Sequence, residues 1–442
     1  MKDYLVSIER NSQMIQIGKL RGESHLDVQF SYSEKYLSDP TAAPIALSLP
    51  LQEEAFSAKR TRNYFEGLLP EGFIRRLVAQ WLHLDENDYL SILYGLGQEC
   101  LGAVLITAED ETPAPTYEEI TNEQVRQLAA EGSTKSTELV MKSHLSLTGA
   151  SGKVGLYFDS ANNRWYLPKG TAPSTHIVKQ SHVRLEEIVT NEQLCLLTAA
   201  RCGIEVPNSF IINTGSGGED EVLFATQRYD RIISDDGCFV SGLPCPLRLH
   251  QEDFAQALGI PSSQKYETSD SHYLADMFAL LRQYAKDPIS DQLKLWDLII
   301  FNWLIGNTDA HIKNYSLLYD PTLRTLRLAP AYDIVSTTVY ESSTRELSIR
   351  IGDALSIDDV TADSFRKAAK EIGLGSKLAM RHVAEMSERF IPALKTSAEE
   401  LASTGFPKAM KIAEKIHKSS GHFTTMREEY DFRNAIKNPY IK

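Results

Sequence analysis

The sequence predicts an α+β fold of two lobes, with a β-rich N-terminal half that includes an extra N-terminal module, and an all-α C-terminal lobe. Three observations lead there. Short runs rich in β-branched and aromatic residues, separated by turn formers, fill the first half of the chain. Beyond residue 250 the apolar residues recur at helical spacing. At 442 residues the chain also exceeds what one ordinary core accommodates, so several folding units are expected.

The extra module, residues 1–108, opens as a meander. Tyr4-Leu-Val-Ser-Ile, Met14-Ile-Gln-Ile and Leu26-Asp-Val-Gln-Phe-Ser-Tyr read as strands, divided by Arg10-Asn-Ser and Arg21-Gly-Glu-Ser. Helical spacing follows at 62–81, through Tyr64, Phe65, Leu68, Ile74, Leu77, Val78 and Trp81, and Leu101-Gly-Ala-Val-Leu-Ile-Thr is a further strand. Residues 109–142 read as a linker and connecting helix, because Glu109-Asp-Glu-Thr-Pro-Ala-Pro-Thr-Tyr-Glu-Glu is acidic and proline-bearing.

Residues 143–248 form the β-rich lobe. Gly155-Leu-Tyr-Phe and Arg164-Trp-Tyr-Leu flank the turn Asp159-Ser-Ala-Asn-Asn as a hairpin, and His176-Ile-Val-Lys is a short strand. A helix at 191–201 stops at Gly203. Phe210-Ile-Ile-Asn and Glu221-Val-Leu-Phe-Ala-Thr then flank a Gly-rich turn. Residues 249–442 are helical, at 252–258, 271–286, 291–305, 361–372, 377–391 and 407–418, with Thr361 as an N-cap.

Composition narrows the function classes. The chain carries 59 acidic against 46 basic residues, a net charge of −13, which argues against unaided binding to a polyanion. Residues 405–442 are a local exception, with eight Lys or Arg and four acids, and read as a solvated helix face or a surface turned toward nucleic acid. No apolar run reaches the roughly 20 residues of a membrane span. The N-terminus lacks a signal-peptide core, and five cysteines without a Cys-x-x-Cys pair suit a reduced, cytoplasmic setting.

The chemistry concentrates in Asn302-Trp-Leu-Ile-Gly-Asn-Thr-Asp309-Ala-His-Ile-Lys-Asn314. An Asp and an Asn five residues apart suit phosphoryl transfer from ATP, where a carboxylate orients the nucleophile and an amide oxygen holds a metal. A polar turn capping a helix would look the same, so the partners decide. Asp333, in Leu328-Ala-Pro-Ala-Tyr332-Asp333-Ile334, lies 19 residues past Asn314, where a second metal carboxylate belongs.

Upstream, Ser146-Leu-Thr148-Gly149-Ala150-Ser151-Gly152-Lys153 precedes a strand and offers small residues whose backbone could approach phosphates, or an ordinary β-turn. It is not a Walker A loop, since Leu147 and Val154 stand where Gly and Ser or Thr are required. Lys179 at a strand end is a candidate phosphate-binding cation, with Glu192 on the next helix as its ion-pair partner. Thr226-Gln227-Arg-Tyr229-Asp-Arg is a candidate adenine hinge, and His311 and Lys313 lie inside the Asp–Asn loop. Each element has a bland reading as packing or solvated charge. Their joint order, loop, lysine, hinge, base, metal ligands, is that of a two-lobed protein kinase.

Leu47-Ser-Leu-Pro-Leu, Leu68-Leu-Pro, Leu101-Gly-Ala-Val, the 146–153 loop, Thr175-His-Ile-Val-Lys, Leu249-His-Gln-Glu-Asp-Phe, Gly259-Ile-Pro-Ser-Ser, Lys265-Tyr-Glu, residues 302–316 and Tyr332-Asp-Ile together resemble the HipA toxins, the serine/threonine kinases of bacterial type II toxin–antitoxin modules. The resemblance runs nearly end to end. It implies a protein-kinase-like fold, ATP and Mg2+ as cofactors, Asp309 as catalytic base, and Asn314 and Asp333 as metal ligands. It further implies Lys179 on the phosphates beneath residues 148–153, Tyr229 and Gln251 bordering the adenine, and Tyr332 beside Asp333. Ser146 corresponds to a serine that these kinases autophosphorylate. Gln227 stands where an acidic residue is expected, and the loop is more hydroxylated than the pattern.

The implied partners are a HipB-like helix-turn-helix antitoxin, operator DNA reached mainly through it, and a protein substrate, an aminoacyl-tRNA synthetase such as the glutamyl enzyme. Two other classes remain. A small-molecule kinase of the aminoglycoside or choline type usually has His two residues before the Asp, where this chain has Asn307. A catalytically dead co-repressor would have lost one of Asp309, Asn314 or Asp333, and all three are present.

Overall fold

A computed structural model describes residues 2–96, 99–108, 114–143, 152–181, 185–233 and 237–419. Five expected site residues, Ser146, Thr148, Gly149, Ala150 and Ser151, lie outside the described residues, as does most of the basic C-terminal stretch.

The N-terminal module is built on a four-stranded antiparallel sheet in the order Gln29–Tyr32, Gln13–Gly22, Lys2–Arg10, Val104–Ala108. Alternation along the first strand turns Tyr4, Val6 and Ile8 inward, where they are buried. Helices Ala58–Phe65, Gly72–Trp81 and Tyr89–Leu96 join them around Phe30, whose ring contacts Tyr32, Phe56 and Phe65. The third strand begins at Gln29 rather than at residue 26, because Asp27 accepts backbone N–H bonds from Glu23 and Ser24 and holds the preceding residues in a turn.

The β-rich lobe is a six-stranded antiparallel sheet in the order Thr116–Ile120, Arg164–Lys169, Lys153–Asp159, His176–Gln180, Val222–Gln227, Ser209–Asn213. Its first strand corrects the expectation of a linker over 109–142. Thr116–Ile120 pairs with Arg164–Lys169 and buries Tyr117 and Ile120, so charge on its outer face hid an ordinary edge strand. Helices Asn122–Glu131, with a Thr121–Gln124 capping box, and Ser133–Ser143 follow it. Register pairs Lys153 with Lys179 on neighbouring strands. Helix Ile188–Arg201 packs on the sheet and carries Glu192.

The C-terminal lobe is mainly helical but not all-α. Gln251–Asp253, Ser316–Tyr319 and Leu326–Leu328 form a three-stranded sheet, and Glu346–Ile351 pairs with Ala354–Ser356. Strands this short carry too few residues to show periodicity, which is why they read as helix or loop. Asp253, expected inside a helix, instead ends a strand and caps Phe254–Leu258 through a capping box with Gln256. Helix Pro288–Ile305 forms the buried axis; Trp296 on it is fully buried and its indole N–H donates to Ala379 O at 3.1 Å. The helix expected to stop at residue 391 runs over Ser376–Ser403 with Pro392 inside it. A mid-helix proline costs about 3 kcal/mol, which burial of Ala393, Leu394, Ala398 and Leu401 beyond it offsets.

Candidate active site

Helix Pro288–Ile305 ends at Gly306, whose φ of 78° reverses the chain into the loop bearing Asp309. A Cβ there would lie 2.1 Å from Thr338 Oγ1, so glycine is demanded by both dihedral and space. The loop is tied on both sides. Thr308 N–H donates to Thr337 Oγ1 at 2.8 Å, Ser348 Oγ donates to Thr308 O at 2.7 Å, and Asp309 N–H donates to Asn307 Oδ1 at 3.2 Å. Asn314 closes the turn, its side-chain N–H donating to Asp309 O at 3.0 Å. The five-residue spacing thus sets Asp309 and Asn314 on one rigid turn.

Lys179 projects from the central sheet between two carboxylates, at 2.7 Å from Glu192 Oε1 and 2.6 Å from Asp333 Oδ1. Burial opposes charge on this amine, but Asp333 and Glu192 more than compensate and hold it above the ordinary lysine range. In return the Lys179 ammonium holds the Asp333 carboxyl far below its usual range, against burial. Asp333 is a non-glycine residue at φ 57°, a local strain that aims its carboxylate at the lysine. Asn191 secures the neighbouring segment by donating to Ser336 O at 3.0 Å and accepting from Ser336 N–H at 3.1 Å.

With the exception of Gly152, every expected site residue that is described lines one cleft of about 340 Å³ between the lobes. A Cβ on Gly152 would sit 1.8 Å from Gln180 Nε2, so any side chain there would displace the Gln180 amide. Lys153 enters beside Lys179, and burial pushes its amine down to about 8. Tyr229 and Tyr332 stack with centroids 5.9 Å apart, Tyr229 O–H donates to Gln251 Oε1, and Gln251 in turn donates to Asp230 at 3.2 Å. Tyr332 bonds Ser316 Oγ at 2.6 Å and donates to Lys313 O at 2.9 Å. Gln227 is exposed and accepts from Asn208 at 3.1 Å.

Burial decides the surroundings of two residues inside the Asp–Asn loop. The Lys313 amine, open in the sequence to a phosphate or to solvent, is buried at 3.3 Å from both Glu71 and Asp253, which fits a structural tie better than a free phosphate cation. His311 is buried and neutral, since burial and then Lys265 push its imidazole down to about 4. Asp309 lies at the solvent-facing edge of the cleft, and its carboxyl titrates above the ordinary aspartate range: desolvation raises it, against the Tyr266 hydrogen bond and Lys265. Tyr266 O–H donates to Asp309 Oδ1 at 3.0 Å.

The N-terminal module also reaches the cleft through Leu68, Glu71 and Leu101, which sequence reasoning missed. Glu71 pairs with Lys265 at 2.8 Å as well as with Lys313. Behind the hinge, Glu99 is fully buried and accepts from Arg228 at 2.9 Å, Arg231 at 2.8 Å and Arg248 at 3.0 Å. Asp230 accepts from Arg228 at 2.8 Å and from Gly102 N–H at 2.7 Å. Burial favours the neutral acid, yet the three guanidinium groups hold the Glu99 carboxyl down at about 2. The charges flanking Tyr229 were the available signal, but their partner lies more than a hundred residues upstream.

A β-sheet lobe over a helical lobe, with a lysine–glutamate pair, an Asp–Asn loop and a second Asp meeting in the cleft between them, defines a protein of the kinase type. The comparisons agree. The HipA-like C-terminal domain family matches residues 145–394 and the HipA N-terminal domain family matches residues 11–107. The chain belongs to the HipA family. It is 32% identical over 379 residues to Y4mE of Sinorhizobium fredii (strain NBRC 101917 / NGR234), covering 84% of this chain and 86% of that protein. It is 24% identical over 403 residues to the serine/threonine-protein kinase toxin HipA of Shewanella oneidensis, covering 88% of each. The fold is similar to a solved complex of Shewanella oneidensis MR-1 HipA, HipB and operator DNA, with a TM-score of 0.79, 21% identity, and coverage of 96% of this chain and 98% of that one. Among the described residues, no helix is long and apolar enough to cross a membrane.

Proposed function

We propose that this HipA-like kinase is an ATP-dependent serine/threonine-protein kinase and the toxin of a HipBA-type module. The observation that carries the reading is the convergence of Lys179–Glu192, Asp309, Asn314 and Asp333 in one cleft. In this reading Lys179 binds the ATP phosphates and the Tyr229–Gln251 end borders the adenine. Asp309 accepts the proton of the attacking hydroxyl as its oxygen bonds to the γ-phosphorus and the bond to the β-phosphate oxygen breaks.

Asn314 and Asp333 supply an amide oxygen and a carboxylate, hard donors that suit Mg2+ held largely through phosphates. Among the described residues no group of three or more His, Cys, Asp or Glu is placed to hold a metal by protein ligands alone. Asn314 and Asp333 would hold Mg2+ where it would offset charge on the phosphates.

The protein target in this reading is a component of translation, an aminoacyl-tRNA synthetase such as glutamate–tRNA ligase, whose phosphorylation arrests growth and favours dormancy. Ser146 is the autophosphorylation site, a HipB-like antitoxin restrains the kinase, and the pair represses its operator. The family membership and the likeness to the HipA–HipB–DNA complex support these assignments.

Asp309→Asn and Asp333→Asn test the reading. Each is expected to abolish growth arrest and transfer of phosphate from [γ-32P]ATP, while mass spectrometry of the wild-type chain after Mg-ATP incubation finds phosphate on Ser146. Growth arrest that survives either substitution would overturn the kinase mechanism.

A further inference from the structure

Tyr266 presents its hydroxyl to the proposed base, yet the other residues of its loop are the ones that hold the loop in place. The Glu267 N–H donates to Ser348 O at 2.9 Å, and its carboxylate accepts from Arg350 N–H at 2.7 Å and Tyr273 N–H at 2.9 Å. Lys265 is pinned by Glu71. Tyr266 between them is 48% exposed, and its ring sits edge-on to His311 with centroids 5.5 Å apart. A phenylalanine would satisfy that ring contact equally well. What the hydroxyl adds is the 3.0 Å bond to Asp309 Oδ1.

That position carries a constraint. A group whose proton Asp309 is to accept must lie within about 2.6–3.2 Å of its carboxylate, and the Tyr266 hydroxyl already occupies such a place. An acceptor that approaches Oδ1 therefore competes with the Tyr266 hydroxyl for that oxygen. Water meets the same obstacle, and water is the acceptor that would waste ATP.

We propose that Tyr266 is an acceptor-site gate, whose hydroxyl holds the place of the substrate hydroxyl on Asp309 and yields it only to a bound protein acceptor. The residue positions and excludes; it forms no bond to phosphorus. The inference rests on the kinase reading above and adds to it a determinant of which acceptor reacts.

The test is hydrolysis of [γ-32P]ATP by the full chain with Mg2+ and no added protein acceptor, read beside incorporation of label into the chain itself. Tyr266→Phe keeps the ring and removes the hydroxyl, and is expected to raise phosphate release about ten-fold, the scale of one lost hydrogen bond to a charged group. Combining it with Asp309→Asn is expected to return release to background, which shows that the added hydrolysis passes through the carboxylate. Tyr266→Ala, which opens the site further, is expected to release at least as much as Tyr266→Phe. A tyrosine that merely props Asp309 in place predicts the opposite, a fall in both hydrolysis and self-labelling. Wild-type labelling together with Tyr266→Phe hydrolysis at or below the wild-type level would overturn the gate alone. A wild-type chain that neither labels itself nor hydrolyses ATP would overturn the gate and the kinase reading together.

Discussion

Replacing Glu99 by Gln isolates the contribution of the N-terminal module to the segment that carries Arg228, Tyr229 and Arg231. Three carboxylates (Glu9, Glu99, Asp230) face three arginines (Arg228, Arg231, Arg248) in a buried cluster, and Glu99 alone touches all three arginines. Its carboxyl falls from 4.5 to about 2 on folding. At about 1.4 kcal/mol per pH unit this corresponds to roughly 3 kcal/mol at neutral pH. The cost of breaking a buried pair, about 3–5 kcal/mol, gives an independent figure of the same size. Because the folded value is depressed, the contribution is fully present above pH 4.5 and is lost as pH falls toward 2. Urea unfolding of the wild type and Glu99→Gln at pH 7 and at a series of acid pH values measures both parts. The expected result is a loss of about 3 kcal/mol at pH 7 that narrows below pH 4.5. Nucleotide affinity is expected to weaken as well, since Arg228 flanks Tyr229. Equal stability at pH 7, or a difference that does not change on acidification, would refute the reasoning.

Two further substitutions probe the supports of the loop that bears Asp309. Gly306→Ala forces a side chain into a left-handed position, about 1–2 kcal/mol before the collision with Thr338 is counted; phosphate transfer is expected to fall with the unfolding midpoint, and an active, equally stable variant would remove the steric argument. Trp296→Ala empties a fully buried site and loses the indole bond to Ala379, with an expected cost of about 3–5 kcal/mol in denaturant unfolding; a cost under 1 kcal/mol would mean that the helix Pro288–Ile305 is not the axis of the lobe.

The parts of the fold and site legible in the sequence are those encoded locally. The hairpin around Asp159–Asn163, the strand ending near Lys179 and the Asp309–Asn314 turn each depend on a few consecutive residues, and the structure has them where spacing put them. The pairing of Lys179 with Glu192 was legible from chain order, and its second partner, Asp333, was legible as a carboxylate but not as a contact. What the sequence hid depends on distant chain. Glu71 and Glu99 reach the C-terminal lobe and the hinge only after the module has folded against them. The strand Thr116–Ile120 was masked by acids on its exposed face, and the continuation of a helix through Pro392 is decided by packing that no local pattern shows.

The 2.6 Å bridge between Lys179 and Asp333 means that the site without nucleotide is electrically self-satisfied. A phosphate that draws the lysine away from the aspartate leaves that half-buried carboxylate with less counter-charge, Lys153 being the other cation that acts on it. A cation arriving alone faces the converse cost, a lysine left with Glu192 as its one close carboxylate. In the kinase reading, nucleotide and divalent cation are therefore expected to be linked partners, each tightening the binding of the other by the same factor, as reciprocity of coupling free energies requires. In that reading, holding the two opposite charges in contact would make the cleft more responsive to nucleotide and cation together than to either alone.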